Sequence, residues 1–403
     1  MENNFDFAHP KDIAFLKQKA NNNFWCEKNL TVQEYPNAIV GSGWNEGGVW
    51  QENGEFIQHT YFNCSPLFAM QNKPKVLDSI NESVVFVGLF TGTWGHEITD
   101  HLKHLWLYFD EHYAHLKNLR WVYSCVFGNT QISNNYWTML KSMGINKKLE
   151  RITGATQFKS IFVPDDSIFF DQTKGIYQIT PTYFSMIKRI AKQPLPENPQ
   201  HFQKVYFSRV RFESVDKVKD FNEAALENVF KNQGFTIIYP DELDFLTEVQ
   251  ILQHCKVFAA TEGSIAHNLL FCQEGTTAII LKKCRQLAIH QMPINAIQKA
   301  KVYFINAGFS PLADYSAFWF GGPFFMYQTK ELSRFFHLNY PGFPYFKFCQ
   351  YILRFCLYRL RQFWFKIDHR YFALTHPLRA QLKIGTKIKN VLKYVRFLGK
   401  KSN

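Results

Sequence analysis

Between residues 204 and 305 five short apolar runs, KVYFS, FTIIY, KVFAA, TAIIL and KVYFI, follow one another, with helical patterns at 221–232, 245–254 and about 265–272. Short strands of this kind alternating with helices of about ten residues predict a parallel, doubly wound sheet. The first half repeats the unit less regularly. SVVFVGLF at 83–90 is a continuous apolar run of buried parallel-strand type, followed by Thr91, Gly92, Thr93 and a helical pattern from about 96 to 115. LRWVYSCVF at 119–127 with a helix at 134–143 makes a second unit, SIFVP at 160–164 a third strand, and 182–192 a further helix. Residues 31–66 read as short antiparallel strands forming a small edge sheet. QPLPENPQHFQ, 193–203, breaks all periodicity, so the domain boundary is expected there. The organisation expected is an N-terminal α/β domain over 1–195, a second α/β domain over 204–310, a connection back toward the first over 311–344, and a tail over 345–403. Ligands of doubly wound sheets sit at the carboxyl ends of strands, and two such domains leave a cleft, so the chemistry is sought there.

The tail is set apart by charge. Residues 345–403 hold 8 Lys and 6 Arg against one acid, Asp368, which leaves 32 bases and 32 acids for residues 1–344. A neutral body with a basic tail argues against a nucleic-acid binder and for an attachment element. In 345–367, Lys347, Gln350, Arg354, Tyr358 and Arg361 recur at spacings of three and four, opposite Phe, Ile, Leu, Cys and Trp. In 378–398, Arg379, Lys383, Lys387, Asn390 and Lys393 face away from Ile384, Ile388, Val391, Leu392 and Val395. Three arginines, each costing about 2.5 to 3.5 kcal/mol at the bilayer centre, make 345–367 a poor membrane span. Two basic amphipathic helices lying on an anionic membrane surface are expected, with Arg354, Arg359, Arg361, Trp364, Lys383, Lys387 and Lys393 in contact. The alternative is that the first helix packs its apolar side on the body.

A length of 403 residues suits two globular units and an appendage, and 46% apolar with 17% aromatic residues excludes disorder. The eight cysteines are scattered without metal-ligand spacing, and the first 30 residues contain no apolar run of signal-peptide length. A reducing, cytoplasmic location is expected. GxGxxG, GxxxxGK[ST], GxSxG and HExxH are absent, which weakens dehydrogenase, phosphate-loop, serine-hydrolase and zinc-protease readings.

Three strand-end stretches carry polar groups suited to chemistry. In TGTWGHEITDHLKHLW, 91–106, His96 and Asp100 stand four apart on a predicted helix, where a carboxylate can orient an imidazole as general base for a hydroxyl. His96 could equally cap the helix while Asp100 pairs with Lys103 or His104. In KVYFSRVRFESV, 204–215, Ser208, Arg209 and Arg211 follow a strand, and the planar guanidinium suits a phosphate, although an ordinary ion pair explains an arginine there as well. Asn222 is the expected N-cap of the next helix. In AATEGSIAHNLLF, 259–271, a strand, a turn at Glu262, Gly263 and Ser264, and a helix carrying His267 and Asn268 offer backbone amides to an anion, and Glu262 could accept from ribose hydroxyls. A plain strand-to-helix loop is the alternative.

Taken together, YPNAIV with GGVWQENGEFI, WGHEITDHLKHLW, VYFSR with FNEAALENVFKNQGFTIIYPDELDFLTEVQIL, and AATEGSIAHNLLFCQEGTTAIIL resemble glycosyltransferase family 61 over roughly residues 30 to 285. The resemblance implies a GT-B-like enzyme of two Rossmann-like domains, α/β in class, that transfers sugar with inversion from a nucleotide-sugar donor. It implies Arg209 and the Gly263-Ser264 turn at the diphosphate, Asn268 ordering that turn, and His96 and Asp100 on the acceptor side. The sequence departs from the family pattern in having Glu262-Gly263-Ser264 where a His-Gly-Ala turn is usual. Ser208, Arg211, Glu262 and His267 complete the expected donor site. With no DxD triplet, only Asp165-Asp166 and Glu242-Leu243-Asp244, a metal-independent enzyme without cofactor is expected. The acceptor implied is a hydroxyl of a bacterial capsule, lipopolysaccharide or lipid-linked glycan on the inner face of the cytoplasmic membrane. Transfer of a non-sugar group and a catalytically inactive scaffold of capsule assembly are the alternatives.

Overall fold

The structure, a computed structural model, describes residues 2–43, 46–60, 62, 73–127, 130–190, 202–212, 220–284, 287–288, 290–309, 324–357 and 360. The chain divides into two compact units, 1–343 and 344–403.

The first unit is mixed α/β and built on two large sheets. In one, the parallel strands Thr156–Pro164, Asp78–Phe90, Arg120–Cys125 and Leu149–Ile152 lie side by side in that order. Val32–Pro36 and Ile39–Gly41 pair antiparallel with Thr156–Pro164, and Gly48–Trp50 with Ile39–Gly41. The strands expected as a separate edge sheet are therefore the antiparallel flank of the main one, since their apolar residues Ile39, Val40 and Val49 are buried there with Phe158 and Ile161.

The second sheet is parallel throughout, in the order Glu2–Asn4, Lys301–Asn306, Thr277–Lys282, Val257–Thr261, Lys204–Phe207, Thr236–Ile238. All five strands read from 204–305 are present. The sixth comes from the N-terminus: Glu2–Asn4, within the stretch 1–195 assigned by sequence to the first domain, pairs with Lys301–Asn306 at the edge of this sheet. Phe5 explains the placement, because its ring stacks on Phe304 at 4.7 Å in the core. After residue 306, Phe324–Met326 pairs with Gly308–Phe309 and Asp220–Phe221 in a separate three-stranded sheet, and the helix Lys330–Phe335 places Phe335 5.1 Å from both Phe7 and Tyr303.

One apolar cluster runs from one sheet to the other, holding Val85, Phe90 and Trp121 together with Phe207, Phe258, Ile280 and Phe304. The segment between them is where the sequence reading fails most. Residues 96–115 do not form one helix. A single α turn, Trp94–Glu97, is followed by 3-10 turns at Asp100–Leu102, Leu105–Phe109 and Ala114–Asn118. Every residue from Ile98 to Leu107 is buried, so there is no solvent side for a regular amphipathic helix to present. The helix expected at 265–272 is likewise a 3-10 helix, Ser264–Phe271. Asn222, expected as an N-cap, instead has φ 70° and donates through Nδ2 to the Met326 carbonyl; Glu223 takes the cap position.

In the second unit residues 345–357 are helical, as the periodicity predicts. The second basic segment, 378–398, and Arg359, Arg361, Trp364, Lys383, Lys387 and Lys393 lie outside the described residues. Among the described residues no helix is long and apolar enough to cross a membrane.

Candidate active site

In each sheet the strand order reverses at one place, and the polar stretches leave from there. In the second sheet Lys204–Phe207 lies between Thr236–Ile238 and Val257–Thr261, with Phe207 level with Ala260. Arg209 and Glu262 are each two residues further on, so the arginine loop and the Gly263 turn leave neighbouring strands at the switch point, the place where ligands of such sheets bind. In the first sheet Asp78–Phe90 lies between Thr156–Pro164 and Arg120–Cys125, and its carboxyl end delivers the Trp94–Glu97 turn.

The two switch points meet. Trp94 Nε1 donates to Asn268 Oδ1 at 2.6 Å, and a Cβ added to Gly95 would stand 2.6 Å from Ser264 Oγ and 3.3 Å from His267 Cδ2. Only glycine lets the turns approach this closely. The contact is braced on both sides. Glu97 accepts from the backbone and hydroxyl of Ser133, the N-cap of helix Asn134–Ser142. Asn268 is also bonded to the buried Glu248, whose carboxyl burial pushes up to about 8, so it is held as the neutral acid at pH 7.

His96 lies in this junction, with its ring 4.9 Å from Phe62 and 6.4 Å from His290. Burial lowers its pKa although the Asp100 carboxylate pulls the other way, and its Nδ1 is buried without a hydrogen-bond partner. It is thus a neutral imidazole with an unused ring nitrogen. Asp100 is not its hydrogen-bonded orienter: the helix that would have aligned them ends at Glu97, and Asp100 lies buried 3.8 Å from Lys103, as the ion-pair alternative had it.

His267 is the second imidazole of the junction. Asn295 Nδ2 donates to Asn3 Oδ1 and Gln291 Nε2 to Asn295 Oδ1, leaving Gln291 Oε1 to accept from His267 Nδ1 at 2.8 Å. That chain fixes the proton on Nδ1 and the lone pair on Nε2. Burial lowers His267 to about 4. His290, stacked on Tyr177 at 3.7 Å between ring centroids, lies 6.2 Å from the His267 ring, and burial lowers it well below the ordinary imidazole range.

The remaining predicted residues separate. Arg209 is one quarter exposed and its Nη1 lies 3.3 Å from Asp220, which also holds Lys283 at 2.9 Å. Behind them Glu223 accepts from the Tyr206 hydroxyl and the Arg209 amide, and burial together with Asp220 raises it to about 7. Arg211 turns outward, pairing with Glu242 and covering the Tyr239 ring at 3.8 Å. Ser208 is buried and its Oγ accepts from the Val210 amide, which shapes the loop. Glu262 does not face a ribose site. Both of its oxygens take the Lys282 ammonium, at 2.6 and 2.7 Å, and one also accepts from the Ala288 amide. Gly263, at φ 124° and ψ −160°, occupies backbone space open only to glycine. Lys282 and Lys283 went unremarked in the sequence, although two lysines closing an apolar strand, IILKK, were the signal. Trp94, Glu248, Gln291 and Tyr177 carry no such signal, because their roles come from neighbours distant in the chain.

The junction thus sets basic groups and a glycine turn at the switch point of a parallel sheet beside a neutral imidazole from a second sheet, at the place where ligands of such sheets bind. Residues 94–280 match the family described as Glycosyltransferase 61. This match, over a little under half of the chain, supports glycosyltransferase family 61 and, with it, glycosyltransferase activity. No curated protein matches it significantly. The matched stretch opens at Trp94 and closes within the strand Thr277–Lys282, and so contains both turns of the junction.

Proposed function

We propose that this glycosyltransferase takes a nucleotide sugar as donor and transfers the sugar, with inversion and without a metal, to a hydroxyl of a surface polysaccharide, lipooligosaccharide or lipid-linked glycan. The observation that carries the reading is the apposition of His96 with the Gly263-Ser264 turn, through Trp94, Gly95 and Asn268. In a single displacement the acceptor oxygen bonds to the anomeric carbon as the bond to the diphosphate oxygen breaks. The diphosphate leaves with the electron pair, and the acceptor proton passes to an imidazole. His96 has the unused nitrogen for that proton. Arg209, with Lys283 behind it, and the turn amides supply the positive field for the leaving group. His267, with its tautomer fixed, holds the turn side.

The test is a panel of UDP-, GDP- and CMP-sugars with glycan acceptors, read by product mass and by anomeric configuration in NMR, with and without EDTA. A hexose or pentose increment of inverted configuration that persists in EDTA is expected. His96→Gln and Arg209→Ala should each lower kcat/KM at least about a hundredfold. A product carrying a non-sugar increment, binding of no nucleotide sugar, or full turnover by His96→Gln would overturn it.

A further inference from the structure

The helix at 345–357 has two apolar sides, where its sequence suggested one. Phe348, Tyr351 and Phe355 form a buried or half-buried line, with ring centroids 5.9 Å apart at each step. A second apolar arc, about 140° wide at 3.6 residues per turn, faces solvent. Tyr345 is 73% exposed, Phe346 74%, Leu353 64%, Leu357 57%, Leu360 54% and Ile352 38%. Cys349 and Cys356 sit exposed in the middle of it. Lys347, Gln350 and Arg354, also exposed, border the arc beyond Leu357.

A continuous exposed strip of large apolar side chains is rare on a soluble surface and marks a binding face. Charge selects the occupant. Bases rim the strip, and residues 345–403 carry 14 of them against one acid, whereas the body has no net charge. We propose that this arc is the membrane-docking face of the protein, lying parallel to an anionic bilayer with its leucines and aromatic rings below the headgroups and Lys347 and Arg354 at the phosphates. The buried line Phe348, Tyr351 and Phe355 is the opposing side and stays out of the lipid. This placement concerns the second unit alone and stands whatever sugar is transferred.

Full-length protein is pelleted with vesicles of phosphatidylglycerol and phosphatidylcholine and with vesicles of phosphatidylcholine alone. Wild type should partition into the anionic vesicles, and Leu353→Glu/Leu357→Glu should lower the partition coefficient at least about tenfold. Because both leucines are more than half exposed, the variant should keep the wild-type melting temperature. A dye on Cys349 should shift to the blue with anionic vesicles only. Equal pelleting of wild type and the double glutamate variant overturns the proposal, as does indifference to phosphatidylglycerol. A wild-type dimer that the variant converts to monomer also overturns it, in favour of a second copy on the arc. So does a dye on Cys349 already blue-shifted without lipid, which would mean that the chain's own 378–398 segment covers it.

Discussion

Gly95 has no room for a methyl group. An added Cβ would lie 3.0 Å from Ser264 Cβ and 2.6 Å from its Oγ, so either the hydroxyl rotates away or the two turns part by several tenths of an ångström. Both displace His96 and Ser264 relative to each other, and a shift of that order in a reacting pair costs much of the rate. Gly95→Ala should therefore lower kcat/KM by about tenfold to a hundredfold and cost about 1 to 3 kcal/mol of stability, and Gly95→Ala/Ser264→Ala should recover part of both losses. A single variant as active as wild type would show that the close approach has no bearing on turnover. Trp94 makes the neighbouring contact by its indole N–H. Trp94→Phe keeps the ring but leaves Asn268 Oδ1 without that donor, which should destabilise by about 1 to 3 kcal/mol, measured by urea unfolding. An unchanged midpoint would mean that water replaces the indole without cost.

At the scale of the element, strands were legible and turns were not. The five runs of 204–305 each form a strand within two residues of the expected ends, because a strand buried on both faces must be apolar at every position and short. Helix Phe245–His254 was equally plain, with Asp244 capping the Thr247 amide. The segment 94–118 misled because its apolar residues recur at helical spacing, yet it is buried on every side and follows the packing of His101, Lys103 and His104 in place of a stripe. The strand pair 168–171 and 176–179, whose turn Gly175 closes at φ 64°, lacks the long apolar runs that mark the buried strands. For the site, the sequence located the three loops but not what each side chain meets: Glu262, an apparent ligand group, is spent on Lys282. This buried pair ties the end of Thr277–Lys282 to the Gly263 turn. Lys282→Met should cost about 3 to 5 kcal/mol by stranding the carboxylate, and Glu262→Leu/Lys282→Met should cost markedly less. Equal loss in the single and double variants would deny the coupling.

At the scale of the whole molecule, the buried histidines and buried carboxyls oppose each other with pH. His59 and His267 are lowered to about 4 by burial, and His96, His101, His104 and His290 are lowered for the same first reason. The unfolded imidazole titrates near 6.5, so on acidification below that value the unfolded chain takes up protons that the folded one refuses. Stability is then lost as pH falls, by up to about 1.4 kcal/mol per unit for each such group. Glu248 and Glu223, raised to about 8 and about 7, act with the opposite sign. Their protons are kept in the fold and released by the unfolded chain above 4.5, so their contribution is complete below that pH and is lost as pH rises through 7 and 8. Between 4.5 and 6.5 the six imidazoles outweigh the raised carboxyls Glu248, Glu223 and Glu97, and above 6.5 the imidazoles no longer act while Glu248 and Glu223 still do. The melting temperature should therefore peak near pH 6.5, falling steeply on the acid side and more gently toward pH 8. Glu248→Gln keeps a neutral group against Asn268 and should flatten the alkaline limb without moving the acid one. If that limb keeps its slope in the variant, the carboxyl is ionised in the fold at neutral pH, and the neutral brace assigned to it behind the Trp94–Asn268 contact does not exist.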